Sequence, residues 1–147
     1  MKAIRTLLFV LGLRLFGAVC AADGTVQVDY HLSEGPAQAT RAMNNIRNHL
    51  EADPTAKIVV VAHGSGIEFP LEDAKDAKGL SSAGPIRELA NRGVQFRVCN
   101  NALVTRGITR HKVVLRAPVV PSGVAEVADA AGKGGLRLPA ALRFVWS

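Results

Sequence analysis

The stretch Lys57–Ala62, "KIVVVA", constrains this chain more than any other. Four of its six residues are isoleucine or valine, with no polar residue between Ile58 and Ala62. A strand with one wet face alternates apolar and polar residues. A continuous run instead suits a strand covered on both faces, as in the middle of a parallel sheet with helices on either side. The flanking segments agree. Thr25–Leu32, "TVQVDYHL", alternates with period two and predicts a first strand. Pro36–Leu50 places Ala39, Met43, Ile46 and Leu50 at helical spacing, and Asp53-Pro54 stops it.

Further along, the period switches again. His63–Leu80 is a long polar connection with weak helical character in its second half. Ser81 or Ser82 is placed to cap a helix through Ile86, Leu89 and Ala90 that stops at Gly93. Val94–Val98 predicts a third strand, and Asn100–Arg106 a short helix closed by Gly107. Val119-Val120 marks a fourth strand. Ser122 caps a helix carrying Val124, Val127, Ala128 and Ala131 up to Gly132, and the tail "LRLPAALRFVW" holds a fifth strand interrupted by Pro139. Strands alternating with helices predict one three-layer α/β/α sandwich on a mostly parallel five-stranded sheet, over residues 22–147. A chain of 147 residues suffices for one such core and not for two.

Residues 1–21 are set apart as a signal peptide. Lys2 and Arg5 precede an apolar run from Leu7, and Val19 and Ala21 stand where a signal peptidase reads, so cleavage is expected at Ala21-Ala22. Leu7–Leu13, broken by Arg14, is far short of the roughly 20 residues a membrane span requires. The expected location is the periplasm or the exterior, without stable membrane insertion. Loss of Lys2, Arg5 and Arg14 lowers the formal charge from +6 to +3. No basic run with interleaved aromatics remains, so no nucleic-acid partner is expected. Cys20 leaves with the leader. Cys99 is then a lone thiol in an oxidising compartment: inert, bonded to another chain, or reactive.

Ligands of open parallel sheets bind at the carboxyl ends of the strands. Here those ends carry Ser33-Glu34-Gly35, His63-Gly64-Ser65-Gly66, Cys99-Asn100-Asn101 and Pro121-Ser122-Gly123. Cys99 falls at a turn into a helix, where open N–H groups and the helix dipole favour negative charge and hence a thiolate. Asn100 and Asn101 are placed to cap that helix or donate to a sulfur anion. The competing reading is a small apolar residue packed at a strand end. His63 is an acid/base candidate if its strand neighbours that of Cys99; otherwise it satisfies loop carbonyls. Backbone N–H groups of Gly64, Ser65 and Gly66, and those at Ser122 and Gly123, are candidate anion donors.

Neither a G-x-G-x-x-G nor a P-loop is complete, and no nucleophile elbow is present. His31, His49 and His111 are too scattered to read as a metal set. Neither a metal nor a cofactor is expected. Glu68, Glu72, Asp73, Lys75 and Lys78 populate the long connection, which is either a lid over the thiol edge or a solvated segment.

Three blocks, "KIVVVAHGSGIEF", "ELANRGVQFRVCNNALVTRGI" and "VVPSGVAEVADAAGKG", resemble the signature blocks of the DsrE/DsrF-like sulfur-relay family. In the central block Ala90, Arg92-Gly93, Phe96, Val98-Cys99, Asn101 and Leu103 stand in the family's order and spacing. The resemblance implies a trimer or hexamer in which Cys99 accepts sulfane sulfur as a persulfide. It would take that sulfur from a donor and pass it to an acceptor thiol on a protein or small molecule. An export leader and a tail beyond Pro139, "AALRFVWS" with Trp146, depart from the family's cytoplasmic members. A non-catalytic periplasmic oligomer that binds a small anion or partner at the same cleft is the alternative, and a redox-sensing thiol is a third.

Overall fold

A computed structural model describes residues 27–132 and 136–137. The leader at 1–21 with its cleavage site, the start of the first strand at Thr25, and the tail beyond Arg137 with Pro139 and Trp146 lie outside the described residues.

Five parallel strands form one sheet: β1 (Gln27–Leu32), β2 (Lys57–Ala62), β3 (Gln95–Cys99), β4 (Val119–Val120) and β5 (Leu136–Arg137), in the order β4-β3-β2-β1-β5. The run "KIVVVA" is central, bonded to β1 on one side and β3 on the other. Its Val60 and Val61 point to opposite faces and both are fully buried, as an unbroken apolar strand requires.

The connections decide which face each helix covers. From β1 to β4 the chain steps one way across the sheet, through α1 (Pro36–Ala52), α2 (Ala83–Asn91) and α3 (Asn100–Thr105). From β4 it returns past three strands to the far side of β1 through α4 (Gly123–Gly132). Because parallel crossovers are right-handed, the reversed step puts α4 on the opposite face, where it packs over β1, β2 and β3. The architecture is the predicted α/β/α sandwich.

The main core lies on the face of α1 to α3. Ala39, Met43, Ile46 and Leu50 of α1, with Ile86 and Leu89 of α2 and Leu103 of α3, pack toward Leu32, Ile58, Val60, Ala62, Phe96 and Val98. Pro36 occupies the first turn of α1, where its fixed φ suits the helix and no N–H is missed. The Gln38 side chain reaches back and accepts from the Ser33 and Glu34 N–H groups at 2.9 and 2.8 Å.

Two local expectations need correction. The second half of the 63–80 connection is not helical. The Asp76 carboxylate accepts from the Lys78 and Leu80 N–H groups and closes a turn, the local bonding by which aspartate competes with helix. Ser82 precedes α2 but does not cap it. It is fully buried, and its hydroxyl donates to the Ala74 carbonyl at 3.2 Å, so it ties the turn down instead.

Candidate functional site

Strands β2 and β3 are neighbours, and their last paired residues are Ala62 and Val98. The next residues, His63 and Cys99, therefore leave the sheet side by side at its carboxyl edge. Alternation along β3 sends Arg97 and Cys99 toward the face of α4, opposite Phe96 and Val98 of the main core. Gly123, the first residue of α4, fits between the two side chains. A Cβ built on it would lie 3.1 Å from the Cβ of Cys99, 3.1 Å from the Cβ of His63 and 3.3 Å from Val61 Cγ1. A glycine suits this position for its close approach, not for an unusual φ.

Cys99 is thus a covered thiol, 6% exposed. His63 is half-buried, and burial holds its imidazole below the ordinary histidine value of 6.5. Burial thus favours its uncharged form. The His31 ring, two strands from Cys99 on the same face, meets the His63 ring edge-on, with centroids 6.1 Å apart and planes at 74°. Sequence reasoning considered His31 only as a metal ligand and set it aside. The alternation of "VDYHL", which turns Tyr30 and Leu32 into the main core and His31 away from it, is the signal that would have placed it here. Among the described residues no group of three or more His, Cys, Asp or Glu side chains is arranged to hold a metal ion.

The remaining candidates divide. Cys99 precedes α3, but no side chain caps that helix. The Asn100 carboxamide oxygen instead accepts from Arg110 Nε at 2.8 Å, and the Asn101 side chain is exposed. Neither bonds the sulfur. Two of the three donors expected of an anion cradle at Gly64–Gly66 are engaged within the protein. The Ser65 N–H donates to the Ser33 carbonyl at 3.1 Å and the Gly66 N–H to the His63 carbonyl at 2.9 Å, so both donors are spent on protein. Gly66 is pressed against β1, where a Cβ would sit 2.0 Å from the Leu32 carbonyl oxygen; its role is packing. The Ser65 hydroxyl accepts from Arg106. Ser122 does act at the start of α4: its hydroxyl accepts from the Ala125 N–H at 3.4 Å and its carbonyl from the Glu126 N–H at 3.1 Å.

The long connection is not the cover of the thiol. Its first part bonds Arg106 through Ser65 and Glu68; beyond Phe69 its bonds run to α1, through the Ala77 N–H to Thr40 Oγ1, and to the 112–114 segment, through Glu72 with Lys112 and Pro70 with Val114. The cover is the first turn of α4, tethered to β3 by a long ion pair between Arg97 and Glu126 at 3.9 Å. A surface groove of about 320 Å³ lies elsewhere, along α2 and the 114–116 segment, and shares no residue with the thiol site.

Among the described residues no helix is long and apolar enough to cross a membrane. The fold is shared with solved structures. A protein of unknown function, MTH1491 from Methanobacterium thermoautotrophicum, superposes with a TM-score of 0.68 at 24% identity, over 77% of this chain and 97% of that one. The ychN protein of E. coli superposes with a TM-score of 0.62 at 10% identity, over 77% and 95%. None of the curated proteins matches in sequence. The DsrE/DsrF-like family, associated with sulfur relay, matches residues 30–136, which include the carboxyl ends of β1 to β4. The chain belongs to the DsrE/DsrF-like family.

Proposed function

We propose that the chain is an exported, oligomeric sulfur-relay protein that carries sulfane sulfur as a persulfide on Cys99. The observation that carries this reading is the placement of the one thiol among the described residues beside a neutral imidazole, His63, at the carboxyl edge of the sheet, in a chain of this family. In the proposed step the Cys99 proton passes to His63 and the thiolate attacks the outer sulfur of a donor such as thiosulfate. A Cys99 Sγ–S bond forms, and the donor's S–S bond breaks with its electron pair leaving on sulfite. Transfer onward repeats this logic: an acceptor thiolate attacks the outer sulfur, and the electron pair of the broken bond returns to Cys99.

The cover imposes one requirement: the first turn of α4 eases away from Cys99 for each exchange. The alternative, an anion cradle with an inert thiol, has lost the Ser65 and Gly66 donors on which it partly rested. The test is intact mass of the mature protein after exposure to polysulfide or thiosulfate, beside Cys99→Ser. A reductant-sensitive gain of one sulfur on the wild type alone supports the carrier. No adduct, with slow native-state alkylation, makes Cys99 a packing residue.

A further inference from the structure

Between β3 and β4 the segment Thr105–Pro118 contains Arg106, Arg110, Lys112 and Arg116, with His111 and no acidic residue. It is fastened at two points to the loops that carry the site. Arg106 bonds Ser65 at 3.0 Å, two residues beyond His63, and Arg110 bonds Asn100 at 2.8 Å, the residue after Cys99. Only Arg106 is neutralised, by Glu68 at 2.8 Å. Among the described residues Arg110 and Lys112 have no acidic partner within ion-pair distance, and both are exposed, whereas Arg116 belongs to the separate groove along α2. On α4, Glu126 already faces Arg97.

We propose that this basic segment is an electrostatic rim that draws small anions to Cys99, so that the site prefers anionic over neutral sulfur donors. The inference rests on the carrier reading above and adds the class of donor to it. Fixed charges next to a low-dielectric site raise the local concentration of counter-ions and the rate at which they arrive. Their reach is about 8 Å at physiological ionic strength, enough for Arg110, bonded to the neighbour of Cys99, to act on an incoming reagent. The cover over the thiol selects for size as well: a side chain 6% exposed is reached by a polysulfide or thiosulfate more readily than by a thiol on a folded surface.

The experiment compares alkylation of native Cys99 by iodoacetate and by iodoacetamide, which are similar in size and differ in charge. Glutathione calibrates their intrinsic reactivity, and rates are taken at low and high salt. The double variant Arg110→Gln, Lys112→Gln removes two exposed charges while glutamine keeps a donor for Asn100. The expected result is an iodoacetate-to-iodoacetamide ratio above that of glutathione, falling with salt and falling about threefold at low salt in the variant. A ratio unchanged in the variant, or indifferent to salt, overturns the rim. Persulfide loading of the same samples separates the two readings. Loading with an unchanged ratio leaves the carrier standing without the rim, whereas a charge-dependent ratio without loading leaves the rim standing without the carrier.

Discussion

Gly123 and Cys99 approach so closely that a side-chain carbon on the glycine would stand 3.1 Å from the Cβ of the cysteine. The helix covering the site is therefore held so close that any side chain at 123 requires its neighbours to give by a few tenths of an ångström. Strand β3 is bonded on both sides, to β2 and β4, whereas α4 follows a strand of two residues. A methyl group at 123 is expected to move the helix rather than the strand. Gly123→Ala should cost about 1–3 kcal/mol in chemical denaturation and speed alkylation of Cys99 by loosening its cover. Slower alkylation at unchanged stability would mean that the helix does not yield.

Gly66 makes a sharper demand, since its Cβ would overlap the Leu32 carbonyl oxygen, and that oxygen also accepts the His63 N–H. Gly66→Ala should cost about 3 kcal/mol and disturb His63. Gly84, in the first turn of α2 with nothing within 4 Å of a built Cβ, supplies the control. Gly84→Ala should be neutral or stabilise by about 0.5 kcal/mol, through helix propensity and a less free unfolded chain. Paired denaturation curves check both.

These two glycines also show what the sequence could and could not reveal. The order of periodic segments was enough to predict the sheet, and with it Cys99 at a strand end and His63 at another. That β2 and β3 are adjacent is the usual outcome for consecutive strands. The fate of the Ser65 N–H was hidden, because it depends on the Ser33 carbonyl just past the end of β1, whereas the Gly66 N–H closes a local turn on the His63 carbonyl. The covering of Cys99 by Gly123 was hidden for a similar reason: it arises from the reversed crossover into β5. Ser82 misled because a serine before a helix caps it only if its side chain is not already buried on another carbonyl.

Glu88 accepts hydrogen bonds from Arg47 Nε and Nη2, the shortest at 2.7 Å, joining α2 to α1. Its carboxyl is held below the usual glutamate range chiefly by those bonds; burial opposes them, and the charges of Arg47 and then Arg92 add to the lowering. Both side chains are substantially exposed, at 27% and 46%, so the pair is worth less than about 1 kcal/mol. A depressed carboxylate stabilises the fold above its unfolded pKa, and that contribution disappears as pH falls through the lower folded value. Glu88→Gln should lose under 1 kcal/mol at pH 7, with the difference vanishing in acid and shrinking in high salt.

His63 links stability and chemistry to pH in a predictable direction. Burial lowers its folded pKa below 6.5, so on acidification the unfolded chain takes up a proton before the folded one does. Above 6.5 both forms are neutral and the contribution is intact; as pH falls through the folded value it is lost. Denaturation midpoints measured from pH 7.5 downward should therefore decline below 6.5, and His63→Gln should flatten that part of the curve. The groups that face His63 fix the interpretation. The His31 ring lies edge-on, Cys99 is across Gly123, and Arg97 with Glu126 forms a pair beyond it. Protonating His63 also removes the base that would accept the thiol proton. Persulfide loading in His63→Gln, and alkylation of Cys99 with it, should then be slowed near neutral pH and lose their dependence on the imidazole's titration. If loading in His63→Gln matches the wild type at every pH, His63 is a packing neighbour of the thiol and the proton goes directly to solvent.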